Sequence, residues 1–192
     1  YIIYNKYTRP HTDCLKVRQN LNDALPFVNH LINKEEYQNA LIEIERSLFF
    51  NKYNSDSMLY ANKLLCYRGL GDFEKGIFEY EVEYPKSIKN VDVVNVQAAL
   101  LYYLTSNNQS ALNVLEKIVK KGVTTDIQQK AYVLKAIVNL KEGEVQTAES
   151  MFREASYFNM GKDIYEKNLK ILINIKKKKK KSPSLARVLS IV

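Results

Sequence analysis

Small residues recur along the chain at a nearly constant interval. Each closes a short polar stretch and is followed four positions later by an apolar residue, which places both side chains on one face of a helix. The four pairs are Ala40/Ile44, Gly76/Tyr80, Ala111/Leu115 and Ala148/Phe152. Their small members lie 36, 35 and 37 residues apart. The chain therefore predicts an internal repeat, built on helices.

A second pair of residues, on one face of an earlier helix, precedes each small residue by 12 and 9 positions. It consists of Val28/Leu31, Leu64/Tyr67, Ala99/Tyr102 and Ala136/Asn139. Turn-forming residues such as Gly71 and Gly143 separate the two faces, so each unit predicts a helix hairpin. The predicted helices cover 22–33, 35–50, 56–69, 73–83, 90–105, 108–121, 126–141, 144–158 and 163–178. Pro26 belongs in a first turn, which moves the start of the first helix towards Leu25.

The order of residues resembles the tetratricopeptide repeat. The fourth unit reads Tyr132-x2-Lys135-Ala136-x2-Asn139 and then Ala148-x3-Phe152; the second reads Tyr60-x2-Lys63-Leu64-x2-Tyr67, then Gly76-x3-Tyr80 and Pro85. The resemblance implies an all-α, right-handed α-solenoid of about four tandem hairpins with a C-terminal capping helix. It divides the chain into a flank (1–20), a repeat domain (21–160), a capping helix (161–178) and a tail (179–192). An irregular helical bundle is the alternative, and the regular spacing speaks against it.

In that family the first helix of each hairpin lines a concave groove that holds the ligand. By register the resemblance assigns to this groove Met58, Ala61, Leu65, Arg68, Val93, Val96, Leu100, Tyr103, Lys130, Val133, Ile137 and Leu140. Most are apolar, which favours an amphipathic partner helix over a peptide carboxylate gripped by Lys, Asn and Arg. Two alternatives stay open: the ninth helix, or chain outside the given sequence, covers the groove, or these residues belong to the core.

Positive charge is concentrated near the end of the sequence. The formal net charge is +8, yet residues 1–175 carry 22 basic and 21 acidic side chains. The excess comes from a run of six lysines and from Arg187. The run consists of Lys176, Lys177, Lys178, Lys179, Lys180 and Lys181. Such a run can act as a nuclear import signal, an acidic-membrane contact or a nucleic-acid tether, or it is a solvated tail.

Residues that could carry catalysis are scarce. His11 and His30 are the only histidines, and neither lies at metal-ligand spacing from a Cys, Asp or Glu. Residues two apart on a helix point in different directions and do not converge on one site. Glu79, Glu81 and Glu83 are therefore expected on a solvated acidic face rather than in a carboxylate site. We therefore expect no enzyme activity, no cofactor, no metal and no small-molecule substrate.

Two further features concern the compartment. Cys14 and Cys66 are isolated, so both are expected as reduced thiols, with Cys66 buried. The chain has no uninterrupted apolar run of about 18 residues, so a cytoplasmic location is expected, with nuclear import through the lysine run as an extension.

The function expected from these features is a non-catalytic scaffold that binds a protein helix or peptide. The alternative is a nucleic-acid or anionic-surface binder that acts through the lysine run. A more specific resemblance lies in the stretches 51–56, 71–76 and 132–136, which look like parts of the tetratricopeptide subunit of the retrograde intraflagellar transport complex. That resemblance implies a subunit of a large transport assembly.

Overall fold

The computed structural model describes residues 24–50, 56–121 and 125–156, and over these ranges the chain is helical and contains no strand. Eight α-helices follow one another: α1 Ala24–Asn33, α2 Tyr37–Phe50, α3 Ser57–Leu70, α4 Phe73–Phe78, α5 Asp92–Leu104, α6 Asn108–Val119, α7 Asp126–Lys141 and α8 Val145–Ser156. A π-helical turn, Glu79–Glu83, extends α4, and a 3-10 turn, Ile88–Asn90, precedes α5. The predicted flank, ninth helix and lysine tail lie outside the described ranges.

The chain divides into two compact units, Tyr1–Gln97 and Ala98–Val192, and the division falls inside α5. In the first unit α1 packs against α2 and α3, α2 packs against α3, and α3 packs against α4. In the second unit α7 packs against α6 and α8. The pairs α1–α2, α2–α3, α3–α4, α6–α7 and α7–α8 are thus both neighbours in sequence and packing partners, as in helix hairpins. The eight helices correspond to the first eight predicted ones within two residues at each end, except that α4 ends at Phe78 and the π-helical turn Glu79–Glu83 covers the rest of its predicted range.

One residue with left-handed backbone conformation joins the helices of each pair. These residues are Glu35 (φ 60°), Gly71 (φ 79°), Ser106 (φ 62°) and Gly143 (φ 87°). In each turn the next N–H donates to the carbonyl five residues earlier. The four bonds are Glu36 to Leu31 (2.9 Å), Asp72 to Tyr67 (2.9 Å), Asn107 to Tyr102 (2.8 Å) and Glu144 to Asn139 (2.9 Å). These are Schellman-type closures. The interval between small residues in the sequence is therefore also the interval between identical backbone turns.

Helix starts are set by local side-chain bonds. Asp56 caps α3 by accepting a bond of 2.9 Å from the N–H of Met58. Thr125 and Gln128 form a reciprocal capping box at the start of α7. Pro26 is the third residue of α1, in the first turn, where its missing N–H has no intrahelical partner to lose. The predicted start of this helix near Leu25 is confirmed.

The repeated small residues are buried where the helices approach each other. Ala40, Ala111 and Ala148 are fully buried, and Gly76 is buried as well. Cys66, also buried, belongs to the core cluster of the first unit, as predicted for that thiol. Close packing of helices needs small side chains at such positions, because a larger one would force the backbones apart.

Candidate interaction surface

The residues expected to line a groove divide into two groups. Seven of the twelve are buried, and the burial of this group favours the alternative that they belong to the core. They are Ala61, Val96, Leu100, Tyr103, Val133, Ile137 and Leu140. The other five keep accessible side chains: Met58 is exposed, and Leu65, Arg68, Val93 and Lys130 are half-buried. Apolar character along a helix is thus a poor sign of a groove here, because the same pattern is produced by a helix packed on several sides.

Four of the five accessible residues lie in the first unit, on α3 and the start of α5. Met58 is 40% exposed near the start of α3, while Leu65 and Val93 are half-buried. The two helices are connected by Arg68, whose Nη1 donates to Oε1 of Gln97 at 3.0 Å. We call Met58, Leu65, Arg68, Val93 and Gln97 the α3–α5 face. Gln97 is not among the groove residues that the register assigns, because no sequence pattern marks this glutamine as a contact.

Partial burial shapes the chemistry of Arg68. Desolvation lowers the pKa of its guanidinium, whereas the neighbouring Tyr37 raises it. An arginine pKa starts so high that the side chain stays charged at neutral pH. Arg68 has five N–H donors in a planar fork, and apolar side chains lie beside it on the same helix face. Such a face can bind a peptide by apolar contact and orient it by donation to a carbonyl or carboxylate.

A second polar cluster ties α3 to the π-helical turn. Lys63 Nζ lies 2.7 Å from Oε2 of Glu79 and 3.9 Å from Oε1 of Glu45. The hydroxyl of Tyr67 donates to Oε1 of Glu79 at 3.3 Å. Burial, together with the charge of Glu79, raises the pKa of Tyr67. The expectation that Glu79 is solvated like Glu81 and Glu83 is wrong, because its side chain is only 17% exposed and pairs with Lys63. Each polar group in this cluster has an ion-pair or hydrogen-bond partner inside the cluster. The cluster therefore joins α3 to the turn and serves the structure.

Tyrosines hold the π-helical turn in place. The Tyr84 hydroxyl donates to the backbone carbonyl of Tyr60 (2.8 Å), and the rings of these two residues meet edge to face with centroids 4.7 Å apart. The Tyr80 hydroxyl donates to Oδ1 of Asn95 at 2.8 Å, and burial raises its pKa to about 12. Buried hydroxyls with partners of this kind fix one arrangement of the elements they join.

The second unit has its own charged pairs on the outside of α7. Lys135 forms an ion pair with Glu116, and this hydrogen bond lowers the pKa of the Glu116 carboxyl. The Lys141 ammonium lies 4.8 Å from the centroid of the Tyr103 ring and donates to Ser106 Oγ at 3.1 Å. Pairs of this kind stabilise a helix surface modestly. Of the predicted groove positions in this unit, Lys130 is the one that is not buried.

The part of the chain that the structure describes holds no cluster of three His, Cys, Asp or Glu side chains that could bind a metal ion. None of its described helices is long and apolar enough to cross a membrane. His30 is exposed on α1, whereas His11, Cys14 and the lysine run lie outside the described ranges. Comparison of the chain with protein families, with curated proteins and with solved structures finds no match.

Proposed function

We propose that the chain is a non-catalytic interaction scaffold, a right-handed α-solenoid of tetratricopeptide-like hairpins that binds a helix or peptide of another protein. The observation that carries the proposal is the recurrence of one backbone turn, with the same hydrogen bond, at Glu35, Gly71, Ser106 and Gly143. Repeated hairpins with small residues at their contacts are the building units of such solenoids, and solenoids serve mainly as binding surfaces.

The proposed binding region is the α3–α5 face. Its accessible apolar side chains, Met58, Leu65 and Val93, offer surface to bury, and Arg68 offers directional donors. The resemblance to the intraflagellar transport subunit gives one setting for such a scaffold, as a component of a large assembly. The seven buried groove positions have no role in this proposal beyond packing.

The test is affinity capture from a lysate of the source organism with quantitative mass spectrometry. The bait is compared with a Met58→Glu/Val93→Glu variant, which places two carboxylates on the face without touching a fully buried side chain. Leu100→Glu or Ile137→Glu would be a poor choice, because both side chains are completely buried and a charge there would unfold the chain. The proposal predicts one enriched partner that the variant loses while it keeps the wild-type circular dichroism spectrum.

The alternative function, binding of nucleic acid or an anionic surface, rests on the lysine run at 176–181. A chain truncated after Ile175 separates the two. If the truncated chain loses the partner, and moderate salt releases the same partner from the wild type, the scaffold proposal is refuted in favour of the tail.

A further inference from the structure

Arg68 is a half-buried cation without a carboxylate partner in the part of the chain that the structure describes. The other two arginines of the described ranges each form an ion pair, Arg46 with Glu43 at 3.3 Å and Arg153 with Glu149 at 3.2 Å. A cation that is taken partly out of water is stabilised when an anion replaces the water it has lost. Among these arginines, Arg68 alone has a charge that no carboxylate of the described residues balances.

The side-chain amide of Gln97 adds a second donor beside this guanidinium. Nη1 of Arg68 donates to Oε1 of Gln97 at 3.0 Å, so the oxygen is the amide atom that faces the arginine. A guanidinium has no acceptor, and the amide NH2 must therefore point elsewhere. Within the described ranges, this NH2 and the remaining N–H groups of Arg68 have no hydrogen-bond partner. The pair thus presents several donors side by side.

Apolar side chains lie one helical turn from each donor. Leu65 precedes Arg68 by three residues on α3, and Val93 precedes Gln97 by four residues on α5, so each pair shares a helix face. Leu65 and Val93 are half-buried, and Met58, seven residues before Leu65, is 40% exposed. A ligand that covers these apolar side chains therefore meets the donors about one turn, or about 5.4 Å, further along the face.

We propose that the partner of the α3–α5 face is an amphipathic helix that places an Asp or Glu side chain against Arg68 and Gln97, one turn from the apolar side chains that cover Leu65 and Val93. A carboxylate has acceptors only, its two oxygens match two adjacent donors, and its charge balances the guanidinium. The inference rests on the proposed scaffold function and adds to it the chemistry of the partner.

Other anions fit the pair less well. A nucleic acid or an anionic membrane is held by several cations, whereas Arg68 is the one cationic member of the α3–α5 face. A phosphorylated side chain carries a charge of about −2 and is typically bound by a cluster of arginines. A second copy of the chain in a symmetric dimer would set Arg68 towards its own equivalent, which brings like charges together. One guanidinium and one neutral amide match the single charge of a carboxylate.

The test uses the full chain and three fluorescently labelled synthetic peptides of about 20 residues, each with an amidated C-terminus. The first peptide has leucines along one helix face and a glutamate one turn after the last leucine, with alanine and glutamine elsewhere. Its twins have glutamine or phosphoserine in place of the glutamate. In anisotropy titrations the wild type should bind the glutamate peptide about tenfold more tightly than the glutamine twin, because one charge-assisted contact is added.

Two variants should remove this preference for opposite reasons. Arg68→Gln removes the cation, whereas Gln97→Glu supplies a carboxylate from the chain itself, next to the guanidinium. Both are expected to bind the glutamate and glutamine peptides with about equal affinity. Thermal melts followed by circular dichroism show that each variant is folded. If Arg68→Gln unfolds the chain, Gln97→Glu still decides the question, because it keeps the arginine and gives it an ion-pair partner.

Lys130→Gln is the matched control, because Lys130 is also half-buried, carries the same charge and occupies a predicted groove position, but lies in the second unit. It should keep the wild-type preference. A preference that persists in Arg68→Gln, or that Lys130→Gln removes equally, would overturn the inference, since the lysine run or the net charge would then explain it. Tighter, Arg68-dependent binding of the phosphoserine peptide would overturn it in favour of a phosphorylated partner.

Failure of the acidic contact is distinguishable from failure of the scaffold function. Equal binding of the glutamate and glutamine peptides, abolished in Met58→Glu/Val93→Glu, would overturn the acidic contact and support the apolar part of the α3–α5 face. Binding of none of the peptides would overturn the inference, whereas the lysate capture with the same double variant decides the scaffold function independently.

Discussion

Gly69 packs directly under an aromatic ring, and this contact makes a sharp prediction. A Cβ built on Gly69 would lie 2.5 Å from Cε2 of Tyr37 and 2.6 Å from its Cδ2 and Cζ. Carbon atoms in contact need about 3.5–4.0 Å, so the ring of Tyr37 must move by about 1 Å or more. Tyr37 packs against the core of the first unit, so its displacement is an overpacking cost of about 1–3 kcal/mol. Replacing glycine by alanine inside a helix returns at most about 1 kcal/mol.

Gly69→Ala is therefore expected to lower the free energy of unfolding by up to about 2 kcal/mol. In a Tyr37→Ala background the same substitution should raise it by about 0.5–1 kcal/mol, because the ring is gone and only the helix preference remains. Urea denaturation followed by circular dichroism at 222 nm measures both, and the first change corresponds to a midpoint lower by up to about 1 M.

Gly71→Ala serves as the control for this pair. Its added Cβ meets nothing within 4 Å, but its φ of 79° strains any L residue, at a cost of about 1–2 kcal/mol that does not depend on Tyr37. If Gly69→Ala changes stability by the same amount with and without the Tyr37 ring, the steric argument is refuted.

Three further predictions concern caps, charge and pH. Asp56→Ala removes the cap of α3 and should cost about 1 kcal/mol in urea denaturation, whereas Asp56→Asn should cost much less. Lys63→Met leaves the Glu79 carboxylate partly buried without its cation and should cost about 1–3 kcal/mol at pH 7; a smaller loss in the Glu79→Gln background would show the coupling, and an equal loss would contradict it. Burial raises the pKa of the Cys66 thiol from 9.0 to about 12, so the unfolded chain loses that proton first and stability should fall as pH rises from 9.0 towards 12. Cys66→Ala should flatten that fall in thermal melts, and an unchanged slope would count against it.

The sequence was sufficient to predict the helices because the small residues, their apolar partners and the turn glycines all point to the same hairpins. The pattern predicts Ala111 and Leu115 on the contact face of a helix, and both are completely buried. The left-handed turn at Glu35 carries no such signal, because glutamate is common inside helices and rare at positive φ. In the structure that turn is closed by the bond from the Glu36 N–H to the Leu31 carbonyl.

The candidate surfaces were harder to predict than the helices. Leu100 and Ile137 occupy the same register as Leu65, yet the first two are buried and the third is half-buried. No sequence pattern distinguishes a helix face that packs on the chain's own helices from one that binds a partner. The exposure of Phe78 (55%) and Val82 (59%) was overlooked for the converse reason, because an apolar residue in a helical pattern is normally assigned to the core. Their exposure follows from the tyrosines that hold the π-helical turn on the opposite side.

The four turns that close the hairpins also say how this architecture can change. Each is held by bonds between backbone N–H and C=O groups, which every residue except proline supplies, and only two of the four use glycine at the left-handed position. Glu35 and Ser106 bear a strain of about 1 kcal/mol or more at that position. A turn of this kind accepts many side chains without losing its geometry, so two such chains could share every hairpin and few identical residues. The repeat period is maintained by backbone hydrogen bonds, and the side chains at the turns can therefore differ from one repeat to the next.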